Sequence, residues 1–239
     1  MMGEIVLTTG ASRGIGLGLV KEFLSQGLQV LATCRNPGAA LELSKVLADA
    51  NQEPAFSLDV TSDLSIANLK SYLELKSLVV KHLINNAGIS TPGHPVEDPD
   101  SIVRKEMLDV FNTNVAGVAR VTEACGVLTN GSGGKVINIS SGMGSVERTL
   151  TSGSYYATSY RCSKAAVNML TACFSLQFPD TYFTMIHPGW VQTDMGGSGG
   201  RTADISVEES AQGIYNVFKN LDNSKSGKFV DWKGIEIPF

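Results

Sequence analysis

The feature that most constrains this chain is a glycine-rich turn near its start. A short apolar, β-branched run over 4–9 leads directly into Gly10-Ala11-Ser12-Arg13-Gly14-Ile15-Gly16, and a helical pattern follows over 14–26. Glycine allows the sharp reversal between a strand and a helix, and it allows a phosphate to approach the backbone N–H groups of the helix N-terminus. A plain turn is the alternative, but the position between the first strand and a helix favours a phosphate-binding turn.

Strand and helix patterns alternate along the rest of the chain. Strands are predicted at 28–34, 54–58, 79–84, 135–139, 182–186 and 228–230, and helices at 39–50, 64–75, 101–125, 159–177 and 207–221. Nearly continuous apolar strands predict a parallel sheet with helices on both faces. We therefore expect a single-domain α/β chain over residues 1–239, with a doubly wound (Rossmann) sheet whose ligands bind at the carboxyl ends of the strands.

Composition excludes several classes of function. The net charge of −4 gives no support for nucleic-acid binding. The 4 cysteines form no C-x-x-C pair and the 3 histidines have no ligand spacing, so we expect no metal site and mostly buried, reduced thiols. Neither a signal-peptide pattern nor an apolar run of membrane-spanning length is present, which makes the cytoplasm the expected location and a membrane partner unexpected.

The ends of the second and third strands bear on the choice of dinucleotide. A cofactor with a free ribose 2′-hydroxyl pairs with an acidic side chain at the end of strand two. This chain has Arg35 there and Arg13 in the glycine turn. Two guanidinium groups suit a 2′-phosphate and favour NADP(H) over NAD(H), unless either arginine is simply a solvated surface charge. Asp59 follows strand three, where it either accepts from the adenine amino group or N-caps the next helix.

Three motifs then occur in a fixed order: Thr-Gly-Ala-Ser-Arg-Gly-Ile-Gly at 9–16, Asn-Asn-Ala-Gly at 85–88, and Tyr160-x-x-x-Lys164. Together they resemble the short-chain dehydrogenase/reductases over essentially the whole chain, and the glycine spacing resembles the single-domain branch. Tyr-Arg-Cys-Ser-Lys at 160–164, the segment 187–195 and Gly-Lys-Phe-Val-Asp-Trp at 227–232 are most similar to carbonyl reductases of the Sniffer and C-factor type.

The resemblance implies an oxidoreductase with Ser141, Tyr160, Lys164 and Asn114 as its catalytic residues. Tyr160 and Lys164 share one helix face, and a neighbouring ammonium together with an oxidised nicotinamide would favour the phenolate. Tyr160 then acts as general acid in carbonyl reduction and as base in alcohol oxidation. Ser141 is implied to hydrogen-bond the substrate oxygen, with Ser140 as its nearest rival, and Asn114 to hold a water that completes a proton relay.

The resemblance also implies which residues contact the cofactor. Lys164 is implied to bind the nicotinamide ribose, and the segment after strand six to lie along the nicotinamide. The full expected set is Gly10, Ser12, Arg13, Gly14, Ile15, Gly16, Arg35, Asp59, Val60, Asn86, Ala87, Gly88, Tyr160, Lys164, Pro188, Gly189, Val191 and Thr193.

Two segments near the expected substrate side have two interpretations each. Ser141 and Tyr160 are 19 positions apart, more than in many family members, so residues 142–153 form either an enlarged loop at the substrate mouth or a harmless surface insertion. The glycine-rich run over 195–206 forms either a lid or a flexible connection.

Substrate and partners are less constrained. Aldehydes, ketones and quinones all fit the mixed apolar and small residues expected around the pocket. An NADP(H)-binding sensor that acts through partner contacts is the alternative to an enzyme. By resemblance, we expect a homo-oligomer (a dimer or a tetramer) formed through the helices at 101–125 and 159–177.

Overall fold

The computed structural model describes residues 3–90, 104–128, 133–197 and 202–239. The strands of this part are β1 (Gly3–Thr8), β2 (Val30–Cys34), β3 (Phe56–Ser57), β4 (Leu78–Asn85), β5 (Gly134–Ile139), β6 (Thr181–His187) and β7 (Lys228–Asp231). Its α-helices are α1 (Gly14–Ser25), α2 (Leu41–Asp49), α3 (Asp63–Leu75), α4 (Arg104–Phe111), α5 (Gly117–Ala124), α6 (Val146–Ser152), α7 (Thr158–Gln177) and α8 (Val207–Lys219).

The seven strands form one sheet in the order β3-β2-β1-β4-β5-β6-β7, and every pair of neighbours is parallel. The chain moves outward in one direction from β1 to β3 and in the other from β4 to β7. This arrangement confirms the predicted doubly wound sheet. Its order reverses between β1 and β4, and a crevice for a ligand is expected at that point.

The two faces of the sheet have separate apolar cores. One contains Phe23 of α1 and Phe218 of α8, whose rings pack edge to face with centroids 5.0 Å apart. The other contains Leu69, Val121 and Phe174 from α3, α5 and α7. Each fully buried side chain of this size contributes about 1.5–3 kcal/mol. With both faces covered by helices, the carboxyl ends of the strands are left as the place for a site.

The predicted helix over 101–125 is interrupted. Its first three residues lie outside the described part, and from Arg104 the chain runs through α4, a π-helical turn at Asn112–Ala116, and α5. A π turn adds one residue to a helical turn and is common at functional sites. The insertion rotates the residues within it relative to a regular helix, and Asn114 lies there, fully buried.

The interpretation of 142–153 as a loop is wrong. This segment contains a 3₁₀ turn at Gly142–Gly144 followed by α6. The Ser145 hydroxyl caps α6 by accepting from the N–H of Arg148 at 3.0 Å, and Gly153 ends the helix with a left-handed φ of 65°. Both capping residues were visible in the sequence, but a helix of 7 residues leaves too short an apolar pattern to recognise.

The cysteines only half follow the prediction of buried thiols. Cys34 and Cys125 are buried, Cys162 is partly buried, and Cys173 is exposed because it lies on the outward face of α7. Within the described ranges there is no group of histidine, cysteine or acidic side chains suited to a metal ion. None of the described helices is both long and apolar enough to cross a membrane.

Candidate active site

The glycine turn between β1 and α1 is packed tightly against the end of β4. Gly10 has a φ of 65°, and a methyl group there would lie 2.8 Å from the Cα of Ala87. A methyl group at Gly16 would collide with the carbonyl oxygen of Gly10. Gly14, with a φ of 55°, lies beside Thr193, whose Cγ2 would be 3.2 Å from a methyl group. Backbone conformation therefore favours glycine at Gly10 and Gly14, and lack of space requires it at Gly10 and Gly16.

Hydrogen bonds of the Thr9 and Asn86 side chains hold this turn against the end of β4. The Thr9 hydroxyl accepts from the backbone N–H groups of Asn86 and Ala87, each at 3.0 Å. The Asn86 side-chain Nδ2 donates to the carbonyl groups of Thr9 and Gly10, each also at 3.0 Å. Asn86, expected to contact the cofactor, has its amide group committed to the turn itself. Thr9 was not singled out from the sequence, although its place at the end of β1 was a signal.

The start of α1 fits a phosphate group. Its N-cap, Arg13, makes no side-chain capping bond and its first turn contains no acidic residue, whereas α3 and α8 are capped by Ser62 and Ser206. A helix start of this kind presents N–H groups and a positive dipole end. Ile15 packs against the core beneath the turn, and Ser12 is partly buried beside it.

Arg13 and Arg35 lie at the same edge of the sheet. The backbone N–H of Ala11 donates to the carbonyl of Thr33 at 2.9 Å, which holds the glycine turn against the end of β2. Both arginines are exposed, and Arg13 Nε is 3.4 Å from the Asp194 carboxylate, with side chains 79 % and 80 % exposed. An exposed pair of this kind is weak, so Arg13 remains available to another anion.

Asp59 is committed to a local turn after β3. Its Oδ1 accepts from the backbone N–H and the hydroxyl of Thr61 at 2.9 and 2.7 Å. These bonds, with a smaller contribution from the Arg35 charge, lower the pKa of Asp59. The alternative that Asp59 caps α3 is wrong, because Ser62 is the cap. Val60 is buried, and its carbonyl oxygen lies close to Gly117, the first residue of α5.

Ser141, Tyr160 and Lys164 come together where β5 ends against α7. The Ser141 hydroxyl accepts from the N–H of Met143 at 3.2 Å, and Ser141 lies close enough to Tyr160 to lower the pKa of its phenol. Lys164 is buried, its Nζ donates to the carbonyl of Ile139 at 2.7 Å, and the same atom is 5.5 Å from the centroid of the Tyr160 ring. The structure thus gathers three of the four expected catalytic side chains in one place.

Burial shifts the pKa values of this pair in opposite directions. It raises the pKa of Tyr160 to about 12, with the Ser141 hydrogen bond opposing the rise, and it lowers the pKa of Lys164 to about 8. The expected lowering of the phenol pKa by Lys164 does not occur in the protein alone. Desolvation of the phenolate is the larger effect, and the ammonium group is directed at the Ile139 carbonyl.

The structure also separates Ser141 from its rival. Ser140 is 1 % exposed, and its hydroxyl donates to Oδ1 of Asn168 in α7 at 2.6 Å. Further along the same contact between β5 and α7, Asn138 Nδ2 donates to the Thr171 hydroxyl at 2.8 Å. These buried hydrogen bonds hold α7 against β5 and so fix the positions of Tyr160 and Lys164 relative to Ser141.

Asn114 connects the π turn between α4 and α5 to the segment after β4 and to α7. Its Oδ1 accepts from the N–H of Ile89 at 2.8 Å, and its Nδ2 donates to the Ile89 carbonyl at 2.9 Å and to the Ser163 hydroxyl at 3.0 Å. A methyl group at Gly88 would lie 3.2 Å from Asn114 Oδ1 and 3.7 Å from Lys164 Nζ, so Gly88 separates the two side chains. The contact with Ser163 was missed, although this serine directly precedes Lys164.

The segment after β6 lies across the glycine turn. The Pro188 carbonyl accepts from the Ser210 hydroxyl at 2.7 Å, and Gly189 has a φ of 89°. Val191 is buried, and Thr193 lies beside Gly14 as described above. The expected nicotinamide side of the crevice therefore adjoins the expected phosphate side.

A sequence profile of the short chain dehydrogenase family matches residues 4–204. The chain belongs to the short-chain dehydrogenase family. The C-signal protein of Myxococcus xanthus is 38 % identical over 160 residues, which cover 66 % of this chain and 91 % of that protein.

Solved structures of carbonyl reductases are also similar over the full length of both chains. An NADPH-bound carbonyl reductase from chicken fatty liver has a TM-score of 0.89 at 35 % identity. The carbonyl reductase Sniffer of D. melanogaster has a TM-score of 0.88 at 28 % identity. The resemblance to the Sniffer and C-factor type is thereby confirmed.

In this short-chain dehydrogenase, Arg161 binds the α6 segment to α7. Its guanidinium donates to the Thr149 hydroxyl, the Ser154 hydroxyl and the Tyr156 carbonyl at 3.0, 3.0 and 2.8 Å. Arg161 directly follows Tyr160, so α6 is held beside the tyrosine that is expected to be catalytic. This role was not predicted, because it depends on a helix that the sequence did not reveal.

An open cleft of about 420 Å³ lies beside the expected lid of the short-chain dehydrogenase. It is bordered by Gln192, Thr193, Asp194 and Gly197 on one side and by 202–203 on the other. Residues 198–201 of the glycine-rich run lie outside the described part, so the lid stays a prediction.

Proposed function

We propose that this chain is an NADPH-dependent carbonyl reductase that converts an aldehyde, ketone or quinone carbonyl to an alcohol. The observation that carries the proposal is the placement of a buried Lys164 at the carboxyl edge of the sheet, where its Nζ lies 5.5 Å from the centroid of the Tyr160 ring and donates to the carbonyl of Ile139, two residues before Ser141. The side chains of Ser141 and Tyr160 are neighbours there, and two neighbouring hydroxyl groups suit a single substrate oxygen.

Support for NADP(H) comes from the charge at the edge of β2 and from the glycine cradle. Arg13 and Arg35 offer two cations for a 2′-phosphate, and the uncapped start of α1 offers N–H groups for a pyrophosphate. The chicken carbonyl reductase, similar over its whole length, is an NADPH-bound protein. When bound, the reduced nicotinamide supplies the hydride.

The residues of the chain supply the proton and hold the oxygen. With a pKa of about 12, Tyr160 stays protonated at neutral pH and can donate to the carbonyl oxygen as negative charge develops there. Ser141 stabilises the same oxygen by a hydrogen bond. Lys164, with a pKa of about 8, is charged at neutral pH and can restore the proton, and Asn114 holds the neighbouring backbone in place.

The direct test replaces the proton donor. In Tyr160→Phe we expect kcat to fall by about 10²–10⁴-fold, the usual contribution of a general acid, while the Kd for NADPH changes little. Turnover is followed by NADPH oxidation with an aldehyde, and binding by cofactor fluorescence. The control is Tyr155→Phe, since Tyr155 is 64 % exposed and does not belong to the group of Ser141, Tyr160 and Lys164. Near-normal turnover in Tyr160→Phe would refute the proposal.

A second candidate is a sensor or signalling protein that binds NADP(H) and acts through partner contacts. The observation in its favour is the identity to the C-signal protein of Myxococcus xanthus. The two candidates differ in turnover. Tight NADPH binding without oxidation on a wide panel of carbonyl compounds would favour the sensor, and turnover that depends on Tyr160 would favour the enzyme.

A further inference from the structure

A cation lies directly beside the segment that carries Ser141. Arg148, on α6, has its Nη1 only 3.0 Å from where a methyl group on Gly142 would be, and Gly142 is the residue after Ser141. Because Gly142 has no side chain, the guanidinium reaches the backbone next to the proposed oxygen-binding hydroxyl. A larger residue at this position would separate the two.

The charge of Arg148 is not used within the described part of the chain. Its guanidinium makes no ion pair or hydrogen bond there, whereas the guanidinium of Arg161 makes three. Arg148 also lies in the first turn of α6, where a positive charge opposes the helix dipole. The charge of Arg148 therefore does not stabilise α6, and this indicates a role for the guanidinium outside the helix.

His187 completes this corner at the end of β6. Its Cδ2 and Nε2 atoms would lie 3.3 and 3.4 Å from the same methyl group on Gly142. Burial, with a contribution from the Arg148 charge, lowers the pKa of His187 to about 4 against an opposing effect of Asp231. The imidazole is thus neutral at pH 7.

Asp231 does not neutralise Arg148. Its Oδ1 accepts from the backbone N–H groups of Lys233 and Ile235, each at 2.9 Å, and so it closes the turn after β7. The corner beside Gly142 therefore combines an unpaired guanidinium with a neutral imidazole.

We propose that Arg148 is a specificity-determining residue that recognises a carboxylate on the carbonyl substrate, so that the preferred substrates are oxo acids. This inference rests on the proposed reductase function. A guanidinium binds a carboxylate through two parallel hydrogen bonds, and it does so next to the hydroxyl groups that receive the carbonyl oxygen. Aldehydes and ketones without an anionic group lack this contact.

The test compares oxo acids with their methyl esters, which keep the carbonyl and lose the charge. The probes are aryl oxo acids with none, two or three methylene groups between the carbonyl and the carboxylate. We expect at least one acid to exceed its ester about tenfold in kcat/KM. In Arg148→Met we expect kcat/KM for that acid to fall about 10–100-fold, mainly through KM, with the ester within about twofold.

Two further variants define the effect. Arg148→Lys keeps the charge without the planar donor pair, and we expect it to retain part of the preference for the acid. Lys45→Met removes an exposed cation on α2, on a different element, and we expect no change in the ratio of acid to ester.

The outcomes separate this inference from the function on which it rests. Esters reduced as well as their acids by the wild type, or an acid preference that survives in Arg148→Met, would overturn the role of Arg148 and leave the reductase intact. Failure to reduce any ester, acid or uncharged aldehyde would overturn both.

Discussion

At the scale of residues, burial shifts the pKa values of Tyr160 and Lys164 and also costs free energy of folding. Lys164 is 5 % exposed, and its only described hydrogen bond is to the Ile139 carbonyl, so its charged form is poorly solvated. Tyr160 is kept neutral by the same desolvation. The pair was predicted from the family resemblance, since the spacing alone is common on ordinary helices. The direction of the tyrosine pKa shift was not predictable, because it depends on how β5 and α7 pack around the two side chains.

The lowered pKa of Lys164 predicts a pH-dependent stability. An unfolded lysine keeps its proton up to about pH 10.5, whereas folded Lys164 loses it near pH 8. The charged form thus destabilises the fold below pH 8, and stability rises as the pH increases from 8 to 10.5. Relative to Lys164→Met, we expect the free energy of unfolding of the wild type to increase by about 3 kcal/mol over this range.

Urea unfolding of both proteins at several pH values from 7.5 to 10.5 measures this difference. A difference that stays constant with pH would mean that the ammonium group is solvated in the folded protein.

At the scale of elements, the sequence predicted the strands and the long helices well, and the short or irregular elements poorly. Strands β1 to β7 are all found within a few residues of the predicted ranges. The π turn at Asn112–Ala116 was not predicted, because it is stabilised by the tertiary contacts of Asn114 with Ile89 and Ser163. The orienting roles of Asn86 and Arg161 were likewise hidden, since each depends on the packing of distant segments.

Arg161 provides the test at this scale. Arg161→Met removes three hydrogen bonds that hold α6 and the following loop to α7. We expect faster hydrogen exchange over 145–157 and a severalfold rise in KM for the carbonyl substrate, with the Kd for NADPH nearly unchanged.

Hydrogen exchange followed by mass spectrometry reports on the segment directly, and Lys45→Met again serves as the control. Unchanged exchange over 145–157 would show that α6 is held by its other contacts.

At the scale of the whole molecule, the alternation of strands and helices was enough to predict a doubly wound sheet, and it puts the expected site at the carboxyl edge. The extent of the domain over 1–239 and a homo-oligomeric state stay predictions. One observation supports an oligomer. Leu108 on α4 is 62 % exposed, Met169 and Leu176 on α7 are 67 % and 84 % exposed, and α4 packs against α7. Exposed apolar side chains on adjacent helices favour a contact with another chain.

We propose that this face joins two copies of the chain. The double variant Leu108→Glu, Met169→Glu places charges on both helices, and we expect it to lower the mass measured by light scattering to that of one chain. Leu41→Glu is the matched control, because Leu41 is 77 % exposed on α2. An unchanged assembly in the double variant would place the contact elsewhere.

The central claim, an NADPH-dependent carbonyl reductase, is tested most directly by cofactor oxidation. The purified protein is given NADPH or NADH with a panel of aldehydes, ketones and quinones. We expect oxidation of NADPH with at least one carbonyl compound, and a kcat/KM for NADPH at least tenfold above that for NADH because of Arg13 and Arg35. Turnover with a preference for NADH would contradict the phosphate-binding role of the two arginines, and tight NADPH binding without oxidation on any carbonyl compound would contradict the reductase.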